Sequence, residues 1–144
     1  MLKPNVLLLE TVSDQADNLL REHCNVHMAN QPDMGEKISS QHSIDAIVTR
    51  GKGKVNQSLI DSCRGLKIIS RCGVGLDNID VDYATSQGIK VVNAPGTNAA
   101  TVAEHTLSLM LSLQRKMRAS VTAVVNGNWA YRTIYDGDDL RGKT

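Results

Sequence analysis

This 144-residue sequence has few aromatic residues and no large excess of charge of either sign. It contains no Phe, one Trp and three Tyr, and its 16 Lys and Arg against 15 Asp and Glu leave a formal charge of +1. Proteins that bind single-stranded nucleic acid stack the bases on aromatic side chains set among basic residues. Proteins held on anionic surfaces carry an excess of positive charge. We therefore expect neither a nucleic acid nor a membrane as a partner.

Cysteine and long apolar runs are also scarce. The three cysteines are odd in number and form no C-x-x-C pair, which disfavours a disulfide framework and favours a reducing compartment. The apolar run near the N-terminus, VLLL at residues 6–9, is too short for a signal peptide or a membrane span. These absences predict a cytoplasmic protein, and its 41% hydrophobic residues are typical of a globular one.

The sequence does contain an alternation of short apolar segments with segments of helical spacing. The predicted strands are residues 5–9, 25–28, 45–48, 67–70 and 89–92, and the predicted helices are residues 13–23, 33–41, 56–63 and 80–87. Strands and helices that alternate at this spacing indicate a parallel sheet with helices on both faces. The predicted fold class is therefore α/β, a doubly wound parallel sheet of about five strands in residues 1–97.

A long helical segment follows this domain. Thr101-Val102-Ala103-Glu104 matches a capping box, and the pattern predicts a single helix from Val102 to Arg118. Apolar residues lie on opposite sides of that helix, so it should be buried on two faces. Residues 98–144 are therefore predicted to be distinct from the first domain.

Ligands of a parallel sheet bind at the carboxyl ends of its strands, so the loops there are the candidate site. Gly73-Val74-Gly75 follows the fourth predicted strand, and paired glycines let successive N–H groups converge on an anion. Arg50 follows the third predicted strand and could add a forked, charged donor. Together these residues suit a small carboxylate. The alternative, equally open at this point, is that the glycines only shape a turn and that Arg50 is a solvated surface residue.

Other local motifs do not support a site. Residues 137–144 fit the P-loop pattern, but no apolar strand precedes them and Asp138 and Asp139 would repel phosphate. His23, Cys24 and His27 form an H-C-x-x-H string that straddles a predicted helix end and a strand, which would separate the ligands. We therefore expect no bound metal.

Three segments of the chain resemble the D-2-hydroxyacid dehydrogenase family, and most closely its D-3-phosphoglycerate dehydrogenases. They are SRCGVGLDNID at residues 70–80, GIKVVNAP at residues 88–95, and Asn98 with AEHT at residues 103–106. The resemblance implies a flavodoxin-like substrate domain joined to a Rossmann NAD domain, with the active site in the cleft between them.

The resemblance also implies roles for individual residues. The N–H groups of Val74 and Gly75, beside Gly73, would hold the substrate carboxylate, and Arg50 would bind the substrate. Asn98 would line the cleft near the nicotinamide and bind both the substrate and the cofactor, and Val102 would pack near the nicotinamide ring. Residues 98–144 would contain the interdomain helix and an arm that begin a truncated NAD-binding domain.

The family's glycine-rich dinucleotide loop, catalytic arginine, supporting acid and catalytic histidine match no residue here, so no catalytic residue is assigned. The expectation is the substrate-binding portion of an NAD-dependent dehydrogenase of amino-acid biosynthesis, in which hydride is transferred at C2 of a 2-hydroxy or 2-oxo acid. This chain alone is then expected to be inactive and not to bind NAD. Lys52 and Lys54 beside Arg50 mildly favour a second anionic group on the substrate.

Two further expectations concern alternatives and assembly. The rival function is a non-catalytic carboxylate-binding or regulatory module. The apolar helix from Val102 to Arg118 and the C-terminal arm are expected to mediate a homodimer or higher self-association, because an apolar face without a partner tends to pair.

Overall fold

The structure is a computed structural model that describes residues 3–29, 31 and 34–142. The chain divides into two compact units, residues 1–97 and residues 98–144. Asp33, the first residue of the predicted second helix, and Lys143 and Thr144 of the P-loop match lie outside the described residues.

The first unit is built on a five-stranded parallel sheet with the strand order β2-β1-β3-β4-β5. Its strands are β1 (Asn5–Leu8), β2 (Asn25–Met28), β3 (Ala46–Thr49), β4 (Ile68–Arg71) and β5 (Lys90–Val92). Its helices are α1 (Asp14–His23), α2 (Met34–Gln41), α3 (Gln57–Ser62) and α4 (Val81–Ser86). This architecture confirms the predicted α/β class with a doubly wound parallel sheet.

Polar side chains begin three of these helices, which explains why short segments become helical at these positions. Ser13 Oγ accepts a hydrogen bond from Ala16 N at 3.4 Å, and Asn56 Oδ1 accepts one from Leu59 N at 3.1 Å. Asp80 Oδ1 does the same for the first turn of α4. Each bond satisfies an amide that has no partner within its own helix.

The sheet separates two apolar cores. Leu7, Ile47 and Ile69 are neighbours across the central strands, are completely buried, and belong to the larger core that includes residues of α2, α3 and α4. Val6, Leu8 and Val48 form a smaller core on the opposite face. Burial of each such side chain contributes roughly 1.5–3 kcal/mol. The cores therefore hold the central strand ends, and the loops that follow them, in fixed positions.

The second unit contains α5 (Ala99–Gln114), α6 (Met117–Val125) and a 3₁₀ helix (Trp129–Thr133). The prediction of one helix from Val102 to Arg118 is wrong, because the chain leaves helical geometry after Gln114 and Lys116 has a left-handed φ of 44°. Thr101 is also not the N-cap. It lies inside α5, which follows Asn98, and Asn98 makes no side-chain capping bond.

Contacts from farther along the chain hold this break. Tyr135 Oη donates to Arg115 O at 2.9 Å and lies 3.1 Å from Arg115 Nε. Lys116 Nζ forms an ion pair with Asp136. These interactions offset the cost of the left-handed residue, which is of the order of 1 kcal/mol.

In the part of the chain that the structure describes, no helix combines the length and the apolar character required to cross a membrane.

Candidate functional site

Polar loops follow β1, β3 and β4 at the carboxyl edge of the sheet. We call residues 50–54 the β3 loop and residues 72–78 the β4 loop. Thr49 and Arg71 are register partners on neighbouring strands, and Cys72 N donates to Thr49 O at 2.8 Å. The two loops therefore start side by side, as the sequence predicts for Arg50 and the glycine pair.

The β3 loop wraps around the carboxylate of Glu10, which follows β1. One oxygen, Glu10 Oε1, accepts hydrogen bonds from four consecutive backbone amides and from the hydroxyl of buried Thr49. The N···O distances are 2.9 Å for Arg50, 2.5 Å for Gly51, 2.7 Å for Lys52 and 3.3 Å for Gly53, and the O···O distance to Thr49 Oγ1 is 3.1 Å. The concave amide surface of this loop is therefore filled by the protein's own anion.

The electrostatics of Glu10 agree with this geometry. Partial burial alone would raise the pKa of the carboxyl, but hydrogen bonds from the amides of Gly51, Lys52, Arg50 and Gly53 together outweigh it and lower the pKa from 4.5 to about 2. Hydrogen bonds to the charged form favour that form. Glu10 is therefore ionised at neutral pH, and its negatively charged carboxylate stabilises the β3 loop.

Arg50 is held at both ends by the segment that follows β1. Its backbone N donates to Glu10 Oε1, and its Nη1 donates to Thr11 O at 3.2 Å. The side chain is exposed. Since a guanidinium has five N–H donors, most of them remain available to a ligand at the sheet edge.

The β4 loop presents the glycine pair. Asn93 Nδ2 donates to Val74 O at 2.6 Å and Ala94 N donates to Gly73 O at 3.0 Å, so the carbonyls of this loop are tied to the segment after β5. Gly73 N donates to Arg71 O. Across residues 3–29, 31 and 34–142, no acceptor takes the N–H of Val74 or Gly75. These two amides therefore differ from the four that Glu10 satisfies.

Arg71 is a candidate ligand-binding residue that the sequence reasoning missed. Its guanidinium lies against glycines of both loops: Nη1 is 2.7 Å from where a Cβ on Gly73 would stand, and Nη2 is 3.3 Å from one on Gly51. Arg71 Nε is buried and has no hydrogen-bond partner within the described residues. A buried donor without an acceptor is costly and typically marks a place for water or a ligand. A basic residue at a strand end directly before C-G-x-G was the signal that could have found it.

Lys52 and Lys54 belong to the β3 loop and both are exposed. With Glu10 they line an open cavity of about 690 Å³ near the ends of β1 and β3. The predicted second anionic group has two cations available there.

Asn98 and Val102 belong to the second unit, just before α5 and in its first turn, and Val102 is 53% exposed. Their assignment to the nicotinamide stays a prediction. Dinucleotide sites of Rossmann type stand on the ends of parallel strands, whereas residues 98–142 form helices, turns and irregular structure but no strand. The described residues of the second unit thus do not by themselves fit an NAD site.

Comparison with known proteins tests the resemblance directly. The model of the family described as D-isomer specific 2-hydroxyacid dehydrogenase, catalytic domain, matches residues 6–134. The chain belongs to this family. The family prediction from residues 70–106 is confirmed.

Family members with named activities match most of this chain. The D-3-phosphoglycerate dehydrogenase of Archaeoglobus fulgidus is 41% identical over 140 residues, which cover 96% of this chain and 26% of that protein. The D-3-phosphoglycerate dehydrogenase of Bacillus subtilis is 40% identical over 114 residues, 79% of this chain and 22% of that protein. The 144-residue chain therefore spans about a quarter of the length of these curated relatives.

Solved structures of other proteins share the fold. The 2-hydroxyacid dehydrogenase of Ketogulonicigenium vulgare Y25 aligns with a TM-score of 0.74 and 30% identity, covering 91% of this chain and 42% of that one. The PH0520 protein of Pyrococcus horikoshii aligns with a TM-score of 0.73 and 29% identity, covering 89% of this chain and 38% of that one.

Proposed function

We propose that this chain is the substrate-binding portion of an NAD-dependent D-2-hydroxyacid dehydrogenase of the phosphoglycerate dehydrogenase type. Its task is to hold the carboxylate of a 2-hydroxy or 2-oxo acid at the carboxyl edge of the sheet. The observation that carries the proposal is the pair of amides at Val74 and Gly75, which have no acceptor among the described residues, next to the guanidinium of Arg71, whose Nε has no partner there either. Membership in the family and the names of the relatives support the reaction class.

The chemistry of this edge suits a carboxylate. Two neighbouring amides can each donate to a carboxylate oxygen, and a guanidinium can donate two parallel bonds to the same group. Arg50, directly after β3, and Arg71, at the end of β4, supply two positive charges at the carboxyl edge of neighbouring strands. An acid held in this way has its C2 at a fixed distance from the loops, which is the positioning that hydride transfer requires.

A second anionic group on the substrate is part of the proposal. Lys52 and Lys54 are exposed on the β3 loop, next to Arg50. A phosphate would gain charge-assisted hydrogen bonds from these side chains. The amides of the same loop are not available to it, because Glu10 occupies them.

NAD, which supplies the hydride acceptor in such enzymes, is proposed to be held by parts of the relatives' length that this chain does not span. In that longer protein Asn98 and Val102 would lie near the nicotinamide. Because the cofactor must be held against C2 and a base must take the hydroxyl proton, this chain alone is proposed to be inactive.

A titration of the isotope-labelled chain with 3-phosphoglycerate, followed by NMR, tests the carboxylate site. We expect the amide signals of Val74 and Gly75 to shift most, and Arg71→Gln to weaken binding by about 2 kcal/mol, as for a hydrogen bond to a charged group. Arg64→Gln is the matched control, because Arg64 is an exposed arginine in the loop that precedes β4 at the other edge of the sheet. Shifts confined to other residues would contradict the proposed site.

A further inference from the structure

We propose that Glu10 is a positioning residue for ligand binding, acting through the β3 loop and Arg50 rather than by touching the ligand. This inference rests on the proposed carboxylate-binding function. Glu10 is not among the residues that the sequence pattern or the family resemblance indicated as part of the site.

The first step is the placement of Arg50. Glu10 Oε1 accepts from Arg50 N at 2.9 Å, and the neighbouring Thr11 O accepts from Arg50 Nη1 at 3.2 Å. The backbone and the guanidinium of Arg50 are thus both anchored on two consecutive residues after β1. If the carboxylate leaves, the backbone anchor is lost and Arg50 keeps only the bond from its guanidinium to Thr11 O.

The second step is the rigidity of the loop as a whole. Asn78 Nδ2 donates to Gly53 O at 2.7 Å and to Thr49 Oγ1 at 3.2 Å, while that hydroxyl lies 3.1 Å from Glu10 Oε1. The carboxylate is therefore the centre of a network that joins the segment after β1, the β3 loop and the β4 loop. Gly51, which lies in this network, faces Arg71 Nη2. Both arginines of the proposed site are thus backed by the same loop.

The third step concerns which hydrogen-bond donors remain available to the ligand. Four successive amides directed at one point form an anion site in their own right. Glu10 fills that point, so an incoming carboxylate meets the side chains of Arg50 and Arg71 and the amides of the β4 loop instead. The internal carboxylate consequently both orients the cations and directs the ligand away from the β3 backbone.

Affinities for 3-phosphoglycerate, measured by NMR titration of the 144-residue chain, test the role. We expect Glu10→Gln to weaken binding about tenfold, the effect of one misplaced charged hydrogen bond. Because Glu10 acts in part through Arg50, Glu10→Gln should weaken binding less in the Arg50→Ala background than in the wild type. A merely structural role would instead add its loss to that of Arg50→Ala.

The matched control is Asp45→Asn. Asp45 also accepts a backbone N–H, from Asn5 at 3.0 Å, and pairs with Lys67 at 2.8 Å, but it precedes β3 at the other edge of the sheet. It should destabilise the chain and leave the affinity unchanged. The amide signals of residues 50–53 give a second readout, and they should move in Glu10→Gln and not in Asp45→Asn.

The experiment distinguishes a failure of the positioning role from a failure of the proposed function. Wild-type binding at Val74 and Gly75 with unchanged affinity in Glu10→Gln would overturn the positioning role and leave the proposed function intact. Strictly additive losses in the double variant would also overturn it. Absence of any wild-type binding would overturn the proposed function, and the positioning role would fall with it.

Discussion

Replacing Glu10 by Gln should remove a pH-dependent part of the stability of the first unit. The structural basis is the single carboxylate oxygen that accepts from four amides and one hydroxyl. A neutral amide oxygen can occupy the same place, but its hydrogen bonds are weaker because they lack the charge. The substitution therefore tests the charge while keeping the size of the side chain.

The magnitude follows from the pKa. A carboxyl pKa lowered from 4.5 to about 2 corresponds to about 3 kcal/mol of preferential stabilisation of the ionised form. Glu10 is partly exposed, and solvent screening reduces this to about 1–2 kcal/mol. We expect Glu10→Gln to lower the free energy of unfolding at neutral pH by that amount.

The sign of the pH dependence is also determined. Because the folded-state pKa of Glu10 lies below the unfolded value, its contribution is fully present above about pH 4.5 and is lost as the pH falls through about 2. The difference in the free energy of unfolding between wild type and Glu10→Gln should therefore shrink as the pH falls from about 4.5 to about 2, and vanish at the lower end of this range.

Urea unfolding followed by circular dichroism at several pH values measures the difference. Trp129 fluorescence reports the second unit separately, because the one tryptophan lies there. Glu22→Gln is the control, since the Glu22 side chain is 70% exposed and its ion-pair contact is a single 3.9 Å approach to His23. A difference between wild type and Glu10→Gln that stays constant from neutral to acid pH would refute the reasoning.

Three further predictions concern other parts of the chain. Gly53→Ala should cost about 1–3 kcal/mol of stability, measured by urea unfolding, because the new Cβ would lie 2.7 Å from Leu9 Cβ; unchanged stability would mean that the loop shifts freely. Calorimetric titration with NAD should show no binding to this chain, and a micromolar affinity would contradict the assignment of the cofactor site to residues outside it. Sedimentation should show self-association that Leu113→Asp weakens, because Leu113 is 82% exposed on an apolar helix; a wild-type chain that stays monomeric would count against this surface.

The core strands were predictable because burial imposes a pattern on sequence. Predicted strands 45–48 and 67–70 differ by one residue at each end from Ala46–Thr49 and Ile68–Arg71. At the first positions Asp45 and Lys67 form an ion pair before the strands begin. A polar pair beside an apolar run is not distinguishable from a strand end by periodicity alone.

The break between α5 and α6 could not be predicted in the same way. Residues 99–125 contain no Gly or Pro, so the local sequence favours one continuous helix. The contacts at the break involve Tyr135 and Asp136, each 20 residues from its partner. Such pairings depend on the tertiary structure, which overrides local propensity.

The candidate site also contains some residues that the sequence pattern could predict and others that only the tertiary structure reveals. Arg50 and the glycine pair follow predicted strands and could be found by the rule that ligands bind at carboxyl ends. Glu10 could be found only as one polar residue after a strand, because its five donors lie 39–43 residues away. Arg71 directly follows predicted strand 67–70 and was missed because the prediction placed the carboxylate on Arg50 and the glycine pair alone.

Glycines next to polar residues at a sheet edge therefore do not by themselves identify a ligand site. Gly51 and Gly53 belong to a loop whose amides converge on an internal carboxylate, so the convergence there stabilises the fold. Gly73 and Gly75 belong to a loop whose carbonyls are tied down while the amides of Val74 and Gly75 find no acceptor among the described residues. Folded proteins rarely leave a buried guanidinium nitrogen unpaired without a function, and the amides of Val74 and Gly75 are on exposed residues that a ligand can reach. An external anion is therefore better placed at the β4 loop than at the β3 loop.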